Sequence, residues 1–319
     1  MENSLLFLLS LPRSGSTLVQ QMLGCSSKVH TEAETWMLLP LLYIFQNDST
    51  LSDFWYTNGQ QAISEFLARK KSRKEIYLSR ISEMFEELTE IGSSRKQPLR
   101  YFLEKTPRNL LVKDELLEAF PHAKYILLTR EPISILSSMS KTWCRGRWAY
   151  ERYRIDFEIG LPNLISLLNN KLIDSLHIRF ENLMADPITE LKRICVFLGI
   201  PYEDKMIESF RETNVKGSTG DKTGLQAFSS VEPSRGQTNW KHLCNSVRRK
   251  QFCEMVSNLG KEAYVSAGFD FDEYTRNISN PRQERLLTDM AYLSKHRLKK
   301  FFFQRFVMDG KRISPYLYG

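Results

Sequence analysis

Phe7-Leu8-Leu9-Ser10-Leu11-Pro12-Arg13-Ser14-Gly15-Ser16-Thr17-Leu18 decides how the chain is read. An apolar run ends in a short loop of Pro, Arg, Ser and Gly. An apolar-periodic segment (Leu18, Val19, Met22, Leu23) follows at once. The order is strand, tight loop, helix. Such a loop offers backbone N–H groups, hydroxyls and one guanidinium at a helix N-terminus. The free N–H groups and the helix dipole there attract phosphate or sulfate. The segment is therefore a candidate site for an anionic nucleotide or phosphosulfate. An ordinary strand-to-helix turn capped by Ser16 is the competing reading.

The loop departs from the nucleotide-triphosphate P-loop. That pattern needs Gly-x-x-x-x-Gly-Lys-Ser/Thr, with Lys on the β- and γ-phosphates and the hydroxyl on magnesium. Here the first Gly is missing and Ser16, not Lys, follows Gly15. A P-loop-type kinase is the runner-up among enzymes.

Composition narrows the class. With 319 residues, 42% hydrophobic and 26% charged, the chain has an ordinary globular profile and can hold one large α/β domain or two smaller ones. No apolar run nears the roughly 18 residues that a membrane span needs. Met1-Glu2-Asn3-Ser4 lacks the basic start of a signal peptide, and the apolar run after it is short. Cytoplasmic residence is the expectation. Cys25, Cys144, Cys195, Cys244 and Cys253 are scattered, odd in number and never in a C-x-x-C pair. That argues against a disulfide framework and a structural zinc site. The histidines (His30, His122, His177, His242, His296) show no metal spacing, so no metal is expected. The net charge of +8 is uneven: residues 281–319 carry nine Lys/Arg against three Asp/Glu. A nucleic-acid protein more often spreads basic surface over its folded body, so no nucleic acid is expected.

Strand candidates lie at residues 5–10, 100–104, 124–129 and 176–180. Helical patterns cover 35–45, 59–70, 74–90, 110–120, 132–141, 161–172 and 189–198. The alternation predicts an α/β fold, a P-loop-like parallel sheet of about four to five strands flanked by helices. Ligands of such sheets bind beyond the carboxyl ends of the strands. Residues 214–239, rich in Gly, Ser, Thr and Lys, read as a long irregular loop. Helical patterning returns over 246–266 and 282–305. The expected organisation is one α/β domain over 1–270 and a basic, helical C-terminal extension over 271–319.

Two more strand ends carry cations. Thr129-Arg130-Glu131-Pro132 runs from strand into helix, with Pro132 suited to the first turn and Ser138 about two turns in. Arg130 can fork two N–H groups onto a phosphate; a surface pair with Glu131 is the alternative. Leu103-Glu104-Lys105-Thr106-Pro107 sets Lys105 at a third strand end, where a solvated lysine is the alternative. Together, Arg13, Lys105 and Arg130 would ring one crevice.

In this order the segments resemble the PAPS-dependent sulfotransferases, which move a sulfuryl group from 3′-phosphoadenosine 5′-phosphosulfate to an alcohol or phenol. The resemblance runs from about Leu5 to Ile200 and favours the branch with the tyrosylprotein sulfotransferases and many bacterial sulfotransferases. It implies that Pro12, Arg13, Ser14, Gly15, Ser16, Thr17 and Leu18 form the loop for the 5′-phosphosulfate. It further implies that Arg130 and Ser138 grip the 3′-phosphate and that Lys105 stands near the sulfate and the bridging oxygen. His177-Ile178-Arg179-Phe180-Glu181-Asn182-Leu183, Asp186-Pro187 and Phe197-Leu198-Gly199-Ile200-Pro201 are similar to the family's later strand-helix segment, where Tyr is commoner than Phe180.

In the tyrosylprotein-type branch a Glu stands twenty-one positions after the loop Arg, which here is Glu34. A carboxylate can take the acceptor's hydroxyl proton when a buried setting raises its pKa. Alternatively Glu34 caps the 35–45 helix; Glu32 and His30 are held in reserve. The implied reaction is in-line attack on sulfur with Glu34 as base. Arg13, Ser16, Thr17, the loop N–H groups and Lys105 hold the developing charge, no metal takes part, and adenosine 3′,5′-bisphosphate is the product. Ser234-Arg235-Gly236-Gln237 and Trp240 loosely resemble the late segment that covers the nucleotide. Arg235 either reaches the 3′-phosphate or is a plain surface residue. A catalytically inactive nucleotide-binding or membrane-docking protein is the third class.

The acceptor is expected to bear a hydroxyl. Trp36, Trp55, Tyr56, Trp143, Trp148, Tyr150 and Tyr153 lie in segments expected to line its cleft, and aromatics suit sugar rings or phenols as well as a core. A glycan or lipid-linked alcohol is favoured, then a peptide tyrosine, then a small phenol. Residues 295–306 mix cations with four Phe. They read as a padding C-terminal helix or as a peripheral membrane contact.

Overall fold

The computed structural model describes residues 5–42, 65–67, 69, 71–91, 99–148, 150–213, 233–238, 240–279 and 284–306. Two compact units emerge: Met1–Tyr43 with Ser72–Arg130 and Asn163–Gln237, and Ile44–Lys71 with Glu131–Pro162 and Thr238–Gly319.

The first unit holds the sheet. Strands β1 (Leu5–Ser10), β2 (Val29–Thr31), β3 (Tyr101–Glu104), β4 (Lys124–Thr129) and β5 (Asp174–Arg179) lie in the order β2-β3-β1-β4-β5. All pairings are parallel, so the five carboxyl ends leave along one edge. Every residue of the central strand β1 is buried, as a strand covered on both faces should be. Its register sets Phe7 opposite Glu104 and Ser10 opposite Leu128. The ends of β3 and β4 therefore flank the loop that leaves β1. Four strands match the sequence expectation. Val29-His30-Thr31 is too short to leave a readable period, and so β2 adds the fifth.

Helices of this unit are α1 (Ser16–Gly24), α2 (Leu38–Leu42), α3 (Lys71–Ile91) and α4 (Lys113–Ala119). The chain's α5 (Pro132–Trp143) belongs to the second unit; α6 (Leu161–Leu168), α7 (Phe180–Ala185), α8 (Pro187–Leu198) and α9 (Lys205–Glu208) follow. Leu6, Leu8, Leu18, Ile126, Ile178 and Phe180 share one core cluster, which fastens α1 and α7 to the sheet. Several boundaries differ from the sequence reading. Phe180 opens α7 rather than closing β5. The helix expected from residue 35 starts at Leu38, and what lies beyond residue 42 falls outside the described residues, as does most of the 59–70 candidate. Residues 110–120 divide into a 3₁₀ turn (Pro107–Val112), with Pro107 in its first positions, and α4. Most of 214–239 also lies outside the described residues.

The second unit contains α5 and four later helices, α10 (Ser246–Leu259), α11 (Lys261–Ser266), α12 (Phe271–Ile278) and α13 (Leu286–Phe306). The helical patterning over 246–266 is carried by two helices, because Gly260 takes φ +87° between them. A buried ion pair fixes α13: Arg248 Nε donates to Asp289 Oδ2 at 2.7 Å, with its guanidinium 5.3 Å from the Trp148 ring. Trp148, Tyr150 and Tyr153 are buried in this unit, so they are core rather than open cleft wall. Trp55 and Tyr56 lie outside the described residues. Among the described residues, no helix is long and apolar enough to cross a membrane.

Candidate active site

The loop after β1 turns on two left-handed residues, Arg13 (φ +68°) and Gly15 (φ +97°). Gly15 is the N-cap of α1, with no side-chain cap, so Ser16 is the first helical residue and not the cap. Leu18 and Val19 both donate their N–H groups to the Gly15 carbonyl, at 3.0 and 3.2 Å. Among the described residues, the N–H groups of Gly15, Ser16 and Thr17 find no backbone acceptor. Such a row of donors at a helix start suits an anion. Ser14 Oγ is buried with no hydrogen-bond partner, an orphan that a ligand oxygen would satisfy. Only glycine fits at position 15: a Cβ would lie 2.3 Å from two carbons of the Phe180 ring.

Phe180 also supports Arg130. The guanidinium stands 4.2 Å from the Phe180 ring centroid, and its Nη1 donates to the Arg13 carbonyl at 3.1 Å. The loop cation and the β4 cation are thus locked together. Burial pulls the Arg130 pKa down to about 10; the charge of Glu181 opposes that shift and Arg13 adds to it. Arg130 stays a cation at neutral pH. Nearby, Thr129 Oγ1 and His177 Nε2 are 2.8 Å apart. Burial, helped by Arg179 and Arg193, lowers His177 to about 4, so this imidazole is neutral.

At the end of β3, Lys105 Nζ donates to Glu34 Oε1 at 2.7 Å; the two side chains are only 2% and 10% exposed. The other oxygen, Oε2, accepts from Trp36 Nε1 at 3.1 Å. Trp36 is 38% exposed, so an aromatic face adjoins the carboxylate in the open. Since α2 starts four positions later, Glu34 does not cap it. The buried Gln20 of α1 donates to Thr31 Oγ1 at 2.8 Å and to the Glu32 carbonyl at 2.6 Å, which ties the approach to Glu34 to the anion-facing helix. The reserve groups pair with each other, His30 Nε2 lying 3.3 Å from Glu32 Oε1.

The sheet edge thus gathers Arg13 to Leu18, Glu34, Lys105 and Arg130 within the first unit. The turn Pro233–Gly236, which bears Arg235, packs on α7: a Cβ at Gly236 would lie 3.0 Å from the Met184 Cβ. Ser138 lies in α5, in the second unit. Sequence reasoning missed Glu104, the last residue of β3, which is buried beside Lys105. Burial pushes its carboxyl up to about 7 against the pull of bonds from Thr106 and Thr35, the Lys105 charge and a bond from Asn109. Its signal was hidden because a polar residue closing a strand is unexceptional.

A row of helix-terminal donors, a buried lysine, a partly buried arginine and a carboxylate can hold a multiply charged anion beside a proton acceptor. Residues 6–204 match the model of the sulfotransferase family. The nodulation protein NoeE of Sinorhizobium fredii is 27% identical over 219 residues, covering 60% of this chain and 49% of that protein. Protein-tyrosine sulfotransferase 1 of Danio rerio is 25% identical over 208 residues, covering 64% and 55%. The chain thus aligns with about half the length of these curated relatives. Among solved structures, the sulfotransferase domain from the Synechococcus PCC 7002 olefin synthase shares the fold, with a TM-score of 0.50 and 21% identity over 79% of this chain and 96% of that one. The chain belongs to the sulfotransferase family.

Proposed function

We propose that the protein moves a sulfuryl group from 3′-phosphoadenosine 5′-phosphosulfate to a hydroxyl-bearing acceptor. What supports this reading is one edge of one sheet, where the N–H groups of Gly15, Ser16 and Thr17, without backbone acceptors among the described residues, meet the buried Ser14 hydroxyl, the Arg13–Arg130 contact and the Lys105–Glu34 pair. These groups fit a nucleotide with an anion at each end. The donor supplies an activated sulfuryl group and leaves as adenosine 3′,5′-bisphosphate. The loop N–H groups, Arg13, Ser14, Ser16 and Thr17 hold the 5′-end. Arg130 takes the 3′-phosphate, with Arg235 as a further cation. Lys105 neutralises charge near the bridging oxygen. Glu34 receives the acceptor's proton. The side chains and helix terminus supply the positive charge without calling on a metal.

The exposed Trp36, bonded to Glu34, favours an acceptor whose hydroxyl is carried on a ring. A glycan or lipid-linked alcohol stands first. A peptide tyrosine stands second, supported by the protein-tyrosine sulfotransferases among the relatives. The test is transfer of radiolabelled sulfate from the donor to a panel of glycans, lipid-linked alcohols and tyrosyl peptides. Labelled product with the wild type and none with Glu34→Gln supports the reading; equal labelling by both removes Glu34 as base.

A further inference from the structure

Glu104 is buried at the end of β3. Its Oε1 accepts from Thr106 Oγ1 at 2.6 Å and from Asn109 Nδ2 at 3.4 Å, and the Thr35 side chain bonds to the same carboxylate. The Thr106 hydroxyl accepts in turn from the Trp36 backbone N–H at 3.5 Å. Thr35 and Trp36 directly follow Glu34, and Glu104 directly precedes Lys105. One buried carboxylate therefore fastens the chain on both sides of the Glu34–Lys105 pair.

The segment needs that fastening. Trp36 has φ +55°, a strained conformation that a bulky residue keeps only where its surroundings enforce it. Hydroxyl donors alone do not explain an acid here. A glutamine would accept the same bonds without a charge to desolvate. What the carboxylate adds is charge: burial works against its ionised form, and the Lys105 cation is among the groups that favour it.

We propose that Glu104 is a positioning residue of the donor site: it fixes where Lys105 stands and holds Glu34 against it through Thr35 and Thr106. The inference rests on the reading of Lys105 as the lysine that meets the 5′-anion of the nucleotide. When Lys105 turns from Glu34 toward that anion, Glu104 keeps its bonds to Thr106, Asn109 and Thr35 and so holds both segments in place.

The test compares affinities of the full chain for adenosine 3′,5′-bisphosphate and adenosine 3′-monophosphate by calorimetry. Their ratio isolates the 5′-phosphate. Glu104→Gln should cut the ratio about tenfold, the scale of one charged hydrogen bond, and leave the 3′-monophosphate affinity unchanged. Lys105→Ala should do the same, and adding Glu104→Gln to it should change the ratio no further. Thr106→Val, which breaks the relay but keeps the acid, should move the ratio in the same direction and carries the test if Glu104→Gln does not fold. A wild-type ratio in both Glu104→Gln and Thr106→Val beside a reduced one in Lys105→Ala overturns the positioning role alone, as does an equal loss for both nucleotides. An unchanged ratio in Lys105→Ala overturns the reading of that lysine, and this inference with it.

Discussion

The Lys105 ammonium lies 2.7 Å from the Glu34 carboxylate at the carboxyl edge of the sheet, with Lys105 buried and Glu34 partly so. At rest the cation meant for the donor and the base meant for the acceptor satisfy each other. A buried ammonium left without a counter-charge is costly, and Glu34 supplies one until an anion arrives.

Breaking the pair from one side should be costly. Glu34→Ala strands a buried ammonium and should destabilise the fold by about 3–5 kcal/mol in urea melts. Adding Lys105→Ala should recover much of that loss. Glu34→Gln should retain affinity for adenosine 3′,5′-bisphosphate while lowering transfer about 10²- to 10⁴-fold, the contribution typical of a general base. Parallel losses of binding and transfer would argue for a structural Glu34 instead.

Gly15 is the loop position least able to change. A methyl group there meets the Phe180 ring at 2.3 Å and must adopt φ +97°. Gly15→Ala should lower stability by about 1–3 kcal/mol, the cost of a strained backbone position. It should also weaken nucleotide binding, because Phe180 is the surface on which Arg130 rests. Thermal melts and nucleotide titrations on the same sample would show both effects; a variant with wild-type values for each would remove the steric argument.

Glu104 should leave a mark on stability against pH. Burial raises its pKa from 4.5 to about 7 in the folded state. The folded protein then holds this proton more tightly than the unfolded chain does. The stabilisation is fully present below pH 4.5 and is lost as pH rises through about 7. Urea unfolding at steps across that window should show a wild-type minus Glu104→Gln difference that falls with rising pH. A flat difference would mean that the folded and unfolded pKa values coincide.

Much of this was legible in the chain itself. The runs that became β1, β3, β4 and β5 are apolar or β-favouring enough to announce themselves, and Pro107 and Pro132 mark where helical turns begin. Loop 12–18, Lys105 and Arg130 could be assigned to strand ends because parallel strands share a carboxyl edge. Other features are tertiary and leave no local trace. Glu34 and Lys105 are 71 positions apart and meet only because β2 pairs with β3. The Phe180 ring, which covers Gly15 and carries Arg130, belongs to a segment that reads equally well as the end of a strand. Ser16 reads as a helix cap by type, yet the left-handed Gly15 takes that place. Glu104 looks like a polar strand terminus until its burial is known.

The most direct test of the central claim is calorimetric titration of adenosine 3′,5′-bisphosphate into the protein without magnesium, alongside ATP with magnesium. The account predicts micromolar binding of the bisphosphate, lost in Arg130→Ala, while adenosine 5′-monophosphate binds both proteins alike. Binding of ATP alone, or bisphosphate affinity untouched by Arg130→Ala, would contradict it.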